Sequence, residues 1–276
     1  MKAGLETSDT LSTVSRRYAQ EIQTAENGYG LEWLTRQRAH RLVGITNGVD
    51  YEVWDPETDR EIPAHFSAND LAGKRECKRG LLEAFSLPVN LDRPILANIT
   101  RLTAQKGIDL MMQIAGEVID AGAYIISLGS GEKRYEDFWQ SLRDYAPRQV
   151  GVYRGYNESL AHKIEAGADM FMMPSKFEPC GLNQMYSLRY GTVPIVRAVG
   201  GLDDTVQNFD VINGVGNGFK FGPYQADKFL ERIYEALFAY ADADVWRKIQ
   251  RNGMTVDNSW ENAAKKYVEL YEWTKS

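Results

Sequence analysis

From residue 94 onward the chain alternates between two patterns. Short apolar runs at 95–100, 124–128, 149–154, 169–173 and 193–197 are bounded by glycine, proline or charged residues, and a shorter one follows at 218–221. Runs that stay apolar without alternating predict strands buried on both faces, as in parallel sheets. Between them, apolar residues recur every three or four positions over 108–121, 132–145, 158–166 and 182–190, which predicts amphipathic helices. This alternation predicts an α/β fold, a Rossmann-like doubly wound parallel sheet. Right-handed crossovers would bring every strand's carboxyl end, and every glycine-rich turn, to one edge.

The flanks read differently. Residues 11–15 predict a short strand, with Ser15 capping a helix to about residue 22, and 31–39 a second helix. The run 42–46 predicts a buried strand ending at Asn47-Gly48, a pair that favours a tight turn with positive backbone angles. Residues 51–91 are polar, punctuated by Pro56, Pro63 and Pro88, with one charged helix over 70–85. They read as surface and insertion. The tail predicts helices over 226–240, 245–253 and 260–273, anchored by Trp246, Trp260, Tyr267, Leu270, Tyr271 and Trp273.

Composition narrows the function classes. The 32 basic and 38 acidic residues give a net charge of −6 with no long run of either sign, which argues against a nucleic-acid partner. No apolar run reaches membrane length, and the first residues lack a signal peptide's apolar region, so the expected compartment is cytoplasmic and no membrane is involved. A disulfide between the only two cysteines, Cys77 and Cys180, is not expected. No histidine and carboxylate cluster has metal-ligand spacing, and Asp203-Asp204 lacks the Asp-Xaa-Asp pattern, so neither metal nor cofactor is expected.

Candidate chemistry gathers at the strand ends. Phe177-Glu178-Pro179-Cys180-Gly181-Leu182 puts a carboxylate at a glycine turn that opens a helix, where free N–H groups and the helix dipole favour an anion. Glu178 could bind a sugar hydroxyl, or be no more than a helix-entry carboxylate. Arg101 and Lys106 straddle the end of the first strong strand, where two cations can converge on a diphosphate or can be solvated surface charges. Cys180 has no histidine near it in sequence, and a packing role suits it better than nucleophilic attack. His162 reads as structural rather than as a general base. Gly129-Ser130-Gly131 lacks a third glycine and reads as a tight turn. Tyr156 could stack on a nucleobase or line the sheet edge. Gly200-Gly201, followed by Asp204 and Thr205, is a second candidate phosphate cradle.

The order of several motifs resembles the glycogen and bacterial starch synthases, retaining glycosyltransferases of the two-domain GT-B fold. The motifs are Thr46-Asn47-Gly48-Val49-Asp50, Thr100-Arg101-Leu102-Thr103-Ala104-Gln105-Lys106-Gly107, Glu178-Pro179-Cys180-Gly181-Leu182, Tyr190-Gly191-Thr192 and Gly200-Gly201-Leu202-Asp203-Asp204-Thr205-Val206. The likeness spans almost the whole chain. It implies the carboxyl-terminal half of such an enzyme, with the amino-terminal domain and its Lys-Xaa-Gly-Gly motif missing. It implies catalytic roles for Arg101, Lys106 and Glu178, and nucleotide-sugar contacts from Asn47, Gly129, Tyr156, Cys180, Gly181, Leu182, Asn183, Gly201, Asp204 and Thr205. The implied partners are ADP-glucose or a related nucleotide sugar, an α-1,4-glucan acceptor and the missing domain. Residues 1–41 would be the tail of that domain and the crossing, 42–253 the nucleotide-sugar-binding domain, and 254–276 a helix returning to the first domain, leaving the Tyr267 and Tyr271 face exposed here. Two departures stand out. Tyr186 occupies the place of a second glutamate used for the ribose in wider GT-B enzymes, and Asn183 replaces an expected Thr or Ile. The alternatives are a non-catalytic nucleotide- or glucan-binding module, and another GT-B sugar transferase.

Overall fold

The computed structural model describes residues 1–275. The chain opens with α1 (Lys2–Thr7), β1 (Leu11–Thr13), α2 (Arg16–Glu21), α3 (Glu32–Gln37), β2 (Leu42–Gly44) and α4 (Ala72–Ala84). A regular series follows: β3 (Ile95–Ile99), α5 (Ile108–Asp120), β4 (Tyr124–Gly129), α6 (Lys133–Tyr145), β5 (Val150–Arg154), α7 (Glu158–Gly167), β6 (Met170–Met173), α8 (Asn183–Arg189), β7 (Val193–Arg197), α9 (Gly200–Thr205) and β8 (Phe219–Phe221). Helices α10 (Ala226–Tyr240), α11 (Ala243–Met254) and α12 (Trp260–Lys275) end the chain.

The central sheet has six strands in the order β5-β4-β3-β6-β7-β8, and every neighbouring pair is parallel. The order reverses between β3 and β6, so chain leaves these two strands toward opposite sides and opens a crevice at their carboxyl ends. Alternate strand residues face opposite layers. Leu96, Ile125, Met170, Met172 and Ile195 pack with Ile108, Ile114, Trp139, Phe229 and Ile249 on one face. On the other face Ile95, Ala97, Ile126 and Phe171 pack with Leu81 and Leu82 of α4 and Ile164 of α7. The expected α/β sheet is present, with each predicted strand after residue 94 in place.

Three expectations from the flanks need correction. The run at 42–46 does not join the central sheet: β2 pairs in parallel with β1 in a separate two-stranded sheet and is only half buried. Gly48 is not at a positive φ. It is glycine because an added Cβ would lie 2.3 Å from the Trp260 Cα, where the crossing segment meets the start of α12. The charged helix at 72–84 is not an insertion but a core layer, with Cys77, Leu81 and Leu82 buried. Lys74 and Lys78 are buried with them, each fully engaged by polar partners. Lys74 donates to the Ala166 and Tyr190 carbonyls and to Thr192 Oγ1 at 2.8–3.0 Å. Burial pulls its ammonium down to about 8. Lys78 pairs with Asp169 at 2.7 Å.

Helix α12 returns to the opening segment. Thr274 hydrogen-bonds Thr10 at 2.8 Å, and the Arg41 guanidinium lies 5.1 Å from the centre of the Trp273 ring. Trp260, Val268 and Tyr271 are exposed on its outer side. Among the described residues no helix is long and apolar enough to cross a membrane.

Beneath α8 lies a buried acid. Ser187 donates to Glu165 Oε2 at 2.7 Å, while Oε1 has no partner. Burial pushes this carboxyl up from 4.5 to about 8, against the opposing pull of Ser187 and of Lys74 on α4. The folded state then holds a proton that the unfolded chain releases between about pH 4.5 and 8, so this group's contribution to stability falls as pH rises through that window. Glu165→Gln removes the proton exchange and keeps the shape. Its unfolding free energy, from urea titration, should therefore gain on the wild type as pH rises, by about 1.4 kcal/mol per unit where the shift is fully expressed. A constant gap from about pH 5 to about pH 8 would mean that Glu165 is ionised in the fold.

Candidate active site

The loops leaving β3 and β6 meet over the crevice because one position there has no side chain. Gly107, at φ +73°, would put a Cβ 2.1 Å from the Pro174 carbonyl oxygen. Lys176 N donates to the Gln105 carbonyl at 2.8 Å, and Gln105 Nε2 to the Phe177 carbonyl at 3.2 Å. These bonds set the short turn Ala104–Lys106 against the stretch that carries Glu178.

Lys106 Nζ reaches Glu178 Oε2 at 2.5 Å, and Ser175 Oγ donates to the same oxygen at 3.1 Å. Glu178 is buried and Lys106 half buried, so the pair is sheltered from solvent screening. Glu178 Oε1 takes no hydrogen bond among the described residues. Arg101 is exposed, and its guanidinium has neither hydrogen bond nor ion pair among them. A cavity of about 210 Å³ brings together Arg101, Lys106, Ser175, Glu178, Gly181, Leu182 and Asn183, floored by Ile99, Met111 and Met172. It offers one free guanidinium, one ammonium shared with a carboxylate, and one open carboxylate oxygen. That set can hold an anion and a hydroxyl side by side.

The turn from Glu178 to Gly181 is braced from behind. Gln184, fully buried, donates to the Cys180 and Gly181 carbonyls at 3.1 and 3.2 Å and to Thr205 Oγ1 at 3.2 Å. Arg197 donates to the Lys176 carbonyl at 2.5 Å and, through Nε, to the Gly222 carbonyl at 3.0 Å. Asn183 Nδ2 donates to the Ile99 carbonyl at 3.0 Å, so the residue that departs from the expected Thr or Ile ties α8 to the end of β3. Sequence reasoning missed Gln184 and Arg197, because their partners are backbone carbonyls that leave no trace in residue type.

The structure places the other expected site residues outside this cavity. The anticipated cradle at Gly200-Gly201 has no free donors. Gly200 N donates to Glu21 Oε1, Gly201 N to the Glu178 and Pro179 carbonyls, and Leu202 N to the Val199 carbonyl. Asp204 Oδ2 accepts from Arg16 N at 2.6 Å, and Thr205 Oγ1 donates to the Gly201 carbonyl at 2.6 Å. Asn47, Asp204 and Thr205 line a separate cavity of about 510 Å³ with Arg16 and Lys266. Gly129 serves packing, since a Cβ there would lie 1.9 Å from the Thr100 carbonyl oxygen. Cys180 is buried against Val49 and Met185, and burial pushes its thiol up to about 11, which favours the protonated thiol and fits the packing role. Tyr156 stands 80% exposed beyond β5, outside the cavity, with its hydroxyl 3.3 Å from Glu158 Oε2. His162 sits buried, with Nδ1 2.7 Å from Asp59 Oδ2, stacked on Trp54 at 3.8 Å. The Trp54 ring also stacks on Tyr186 at 4.1 Å, so the residue that departs from the expected second glutamate belongs to an aromatic stack.

Residues 82–253 match the family model of glycosyl transferases group 1, and residues 1–37 match that of the starch synthase catalytic domain. A glycogen synthase of Koribacter versatilis is 51% identical over 275 residues, which take in 100% of this chain and 57% of that protein. Glycogen synthase 1 of Geobacter sulfurreducens is 47% identical over 272 residues, 98% of this chain and 54% of that one. Among solved structures, the catalytic domain of starch synthase IV from Arabidopsis thaliana, bound to ADP and acarbose, has a TM-score of 0.93 at 35% identity, covering 99% of this chain and 57% of that chain. The sucrose-phosphate synthase of Thermosynechococcus elongatus shares the fold at a TM-score of 0.67 and 20% identity, covering 99% of this chain and 60% of that chain. The chain thus spans little more than half the length of the curated relatives it matches. With the GT-B sheet order, the sheltered Lys106–Glu178 pair at its switch point and a family model matched over more than half its length, the chain belongs to the glycosyl transferases of group 1.

Proposed function

We propose that this chain is the donor-binding half of a glycogen or starch synthase. It would bind a nucleoside diphosphate glucose and, together with an amino-terminal domain, transfer glucose with retention to the nonreducing end of an α-1,4-glucan. The observation that carries this reading is the Lys106–Glu178 pair beside an unpartnered Arg101 in one cavity at the sheet's switch point. Arg101 would grip the diphosphate with its planar fork, and Lys106 would add a point charge as negative charge develops on the leaving group. Glu178, held through Oε2, would keep Oε1 for a hydroxyl of the donor glucose. The bond from the anomeric carbon to phosphate oxygen breaks, the acceptor oxygen bonds on the same face, and its proton passes to the leaving phosphate. ADP is the preferred nucleotide in this reading, since the Arabidopsis starch synthase IV domain was solved with ADP.

In the division we propose, residues 1–41 are the tail of the amino-terminal domain and the crossing, and β2 goes with them because it pairs with β1. The nucleotide-sugar-binding domain runs on to residue 253, and residues 254–276 return to the first domain. Tyr156, exposed on the same sheet edge, is the candidate platform for the base.

Two measurements test the reading. In titration calorimetry this chain should bind ADP more tightly than UDP, and Arg101→Ala should weaken ADP by about tenfold or more, the usual effect of losing a charge-assisted hydrogen bond. Equal affinity of the variant, or no ADP binding by the wild type, would remove the donor role. Mixed with a separately produced amino-terminal half of a relative, the chain should elongate glycogen from ADP-glucose. Glu178→Gln should then slow the rate by about a hundredfold or more while ADP affinity holds within about twofold. Nucleotide binding without elongation in any such mixture would instead favour a non-catalytic binding module.

A further inference from the structure

Helices α2 and α9 cap each other with carboxylates. Asp204, near the end of α9, accepts from Arg16 N at 2.6 Å and from Arg17 N at 3.3 Å, the first amides of α2. Glu21, the last residue of α2, accepts from Gly200 N at 3.1 Å, the first amide of α9. Arg17 Nε holds the same Glu21 oxygen at 3.1 Å. Glu21 is buried, and its other oxygen has no partner. A buried carboxylate that gives up water for so few bonds is costly, and is kept where its position matters.

That position leads to the donor site in two rigid steps. The amide next to the one Glu21 holds, Gly201 N, donates to the Glu178 carbonyl at 3.1 Å. Neither glycine leaves slack, because a Cβ on Gly200 would lie 1.9 Å from the Glu178 carbonyl oxygen and one on Gly201 2.0 Å from that of Cys180. The start of α9 therefore lies backbone against backbone on the turn that carries Glu178. A shift of Glu21 moves that turn.

We infer that Glu21 is a positioning residue for the donor sugar: it acts through Gly200 and Gly201 to hold the Glu178 turn, and so ties the donor site to the opening segment of the chain. The inference rests on the donor-binding reading for its effect on affinity, but not for its effect on the turn. Gln at position 21 keeps the acceptor oxygen and should behave as wild type. Ala loses the oxygen, and Asp keeps the charge but falls short of Gly200, so both should loosen the turn.

The test is hydrogen exchange by mass spectrometry on this chain, with ADP and ADP-glucose titrations beside it. In Glu21→Ala and Glu21→Asp, amides at 177–183 should exchange about tenfold faster while β6 keeps its wild-type rate, and Glu21→Gln should restore the slow rate. ADP-glucose affinity should fall about tenfold in the first two, with ADP within about twofold, since the nucleotide contacts are untouched. Unchanged exchange at 177–183 in both variants would overturn the inference. So would an equal rise in β6, which marks general loosening, or a Gln variant that behaves like Ala. If the wild type binds neither nucleotide, the donor-binding reading falls, and the exchange pattern still decides the role of Glu21.

Discussion

The ion pair between Lys106 and Glu178 joins residues from two loops, and it can form only if those loops are already fixed at contact distance. A sheltered pair gains little net stability, because each charge gives up water to reach the other. What makes it possible is backbone contact underneath. Gly107 lies beneath the Pro174 carbonyl and Gly200 beneath that of Glu178, each at a spacing that excludes any Cβ. Ser175 supplies a second donor to the same carboxylate oxygen, so Glu178 is oriented even when no ligand is present. The charge arrangement is thus a product of loop geometry, and the loop geometry a product of the parallel order that sends β3 and β6 to the same edge.

A second polar layer holds up the strands themselves. Asp169 accepts from Lys78 of α4 and from the Ile95 amide, and so binds helix, β3 and β6 at one point. Lys74 ties the same helix to the ends of α7 and α8 through the Ala166 and Tyr190 carbonyls. Asp59 gathers His162 and Tyr190. Burial works against its ionised form, but the bonds from His162, Tyr190 and the Glu61 amide outweigh burial and hold its carboxyl below the usual carboxylate range. The Asp169 bond lies at the starts of β3 and β6, away from the cavity at their carboxyl ends.

The sheet was legible in the sequence for a simple reason. Strands covered on both faces must be apolar throughout, so 95–100, 124–128 and 193–197 could be read directly as strands. That Arg101, Lys106 and Glu178 would come together was legible because all three follow strand ends on one edge, and they line one cavity. What the sequence hid was of two kinds. Burial of α4 was masked by Lys74 and Lys78, whose charge reads as surface although their nitrogens are satisfied inside. The fate of backbone N–H groups was masked altogether: the Gly200-Gly201 turn has the residue types of a phosphate cradle, yet its donors are taken by Glu21 and the Glu178 turn. Residue type shows which conformations a turn can adopt, but not which distant atom will occupy it.

That limit matters most where the opening segment, through α9, meets the Glu178 turn. The contact between α2 and α9 includes capping bonds at both helix ends. Apolar packing weakens gradually as surfaces slide, whereas a hydrogen bond loses most of its strength with a small change in distance or angle. The bonds from Arg16, Arg17 and Gly200 involve the ends of two short helices, so a modest rotation of one helix would break them together. Such a contact is either made or broken. Its placement against the Glu178 turn makes that turn the part of the site most directly coupled to the contact between α2 and α9.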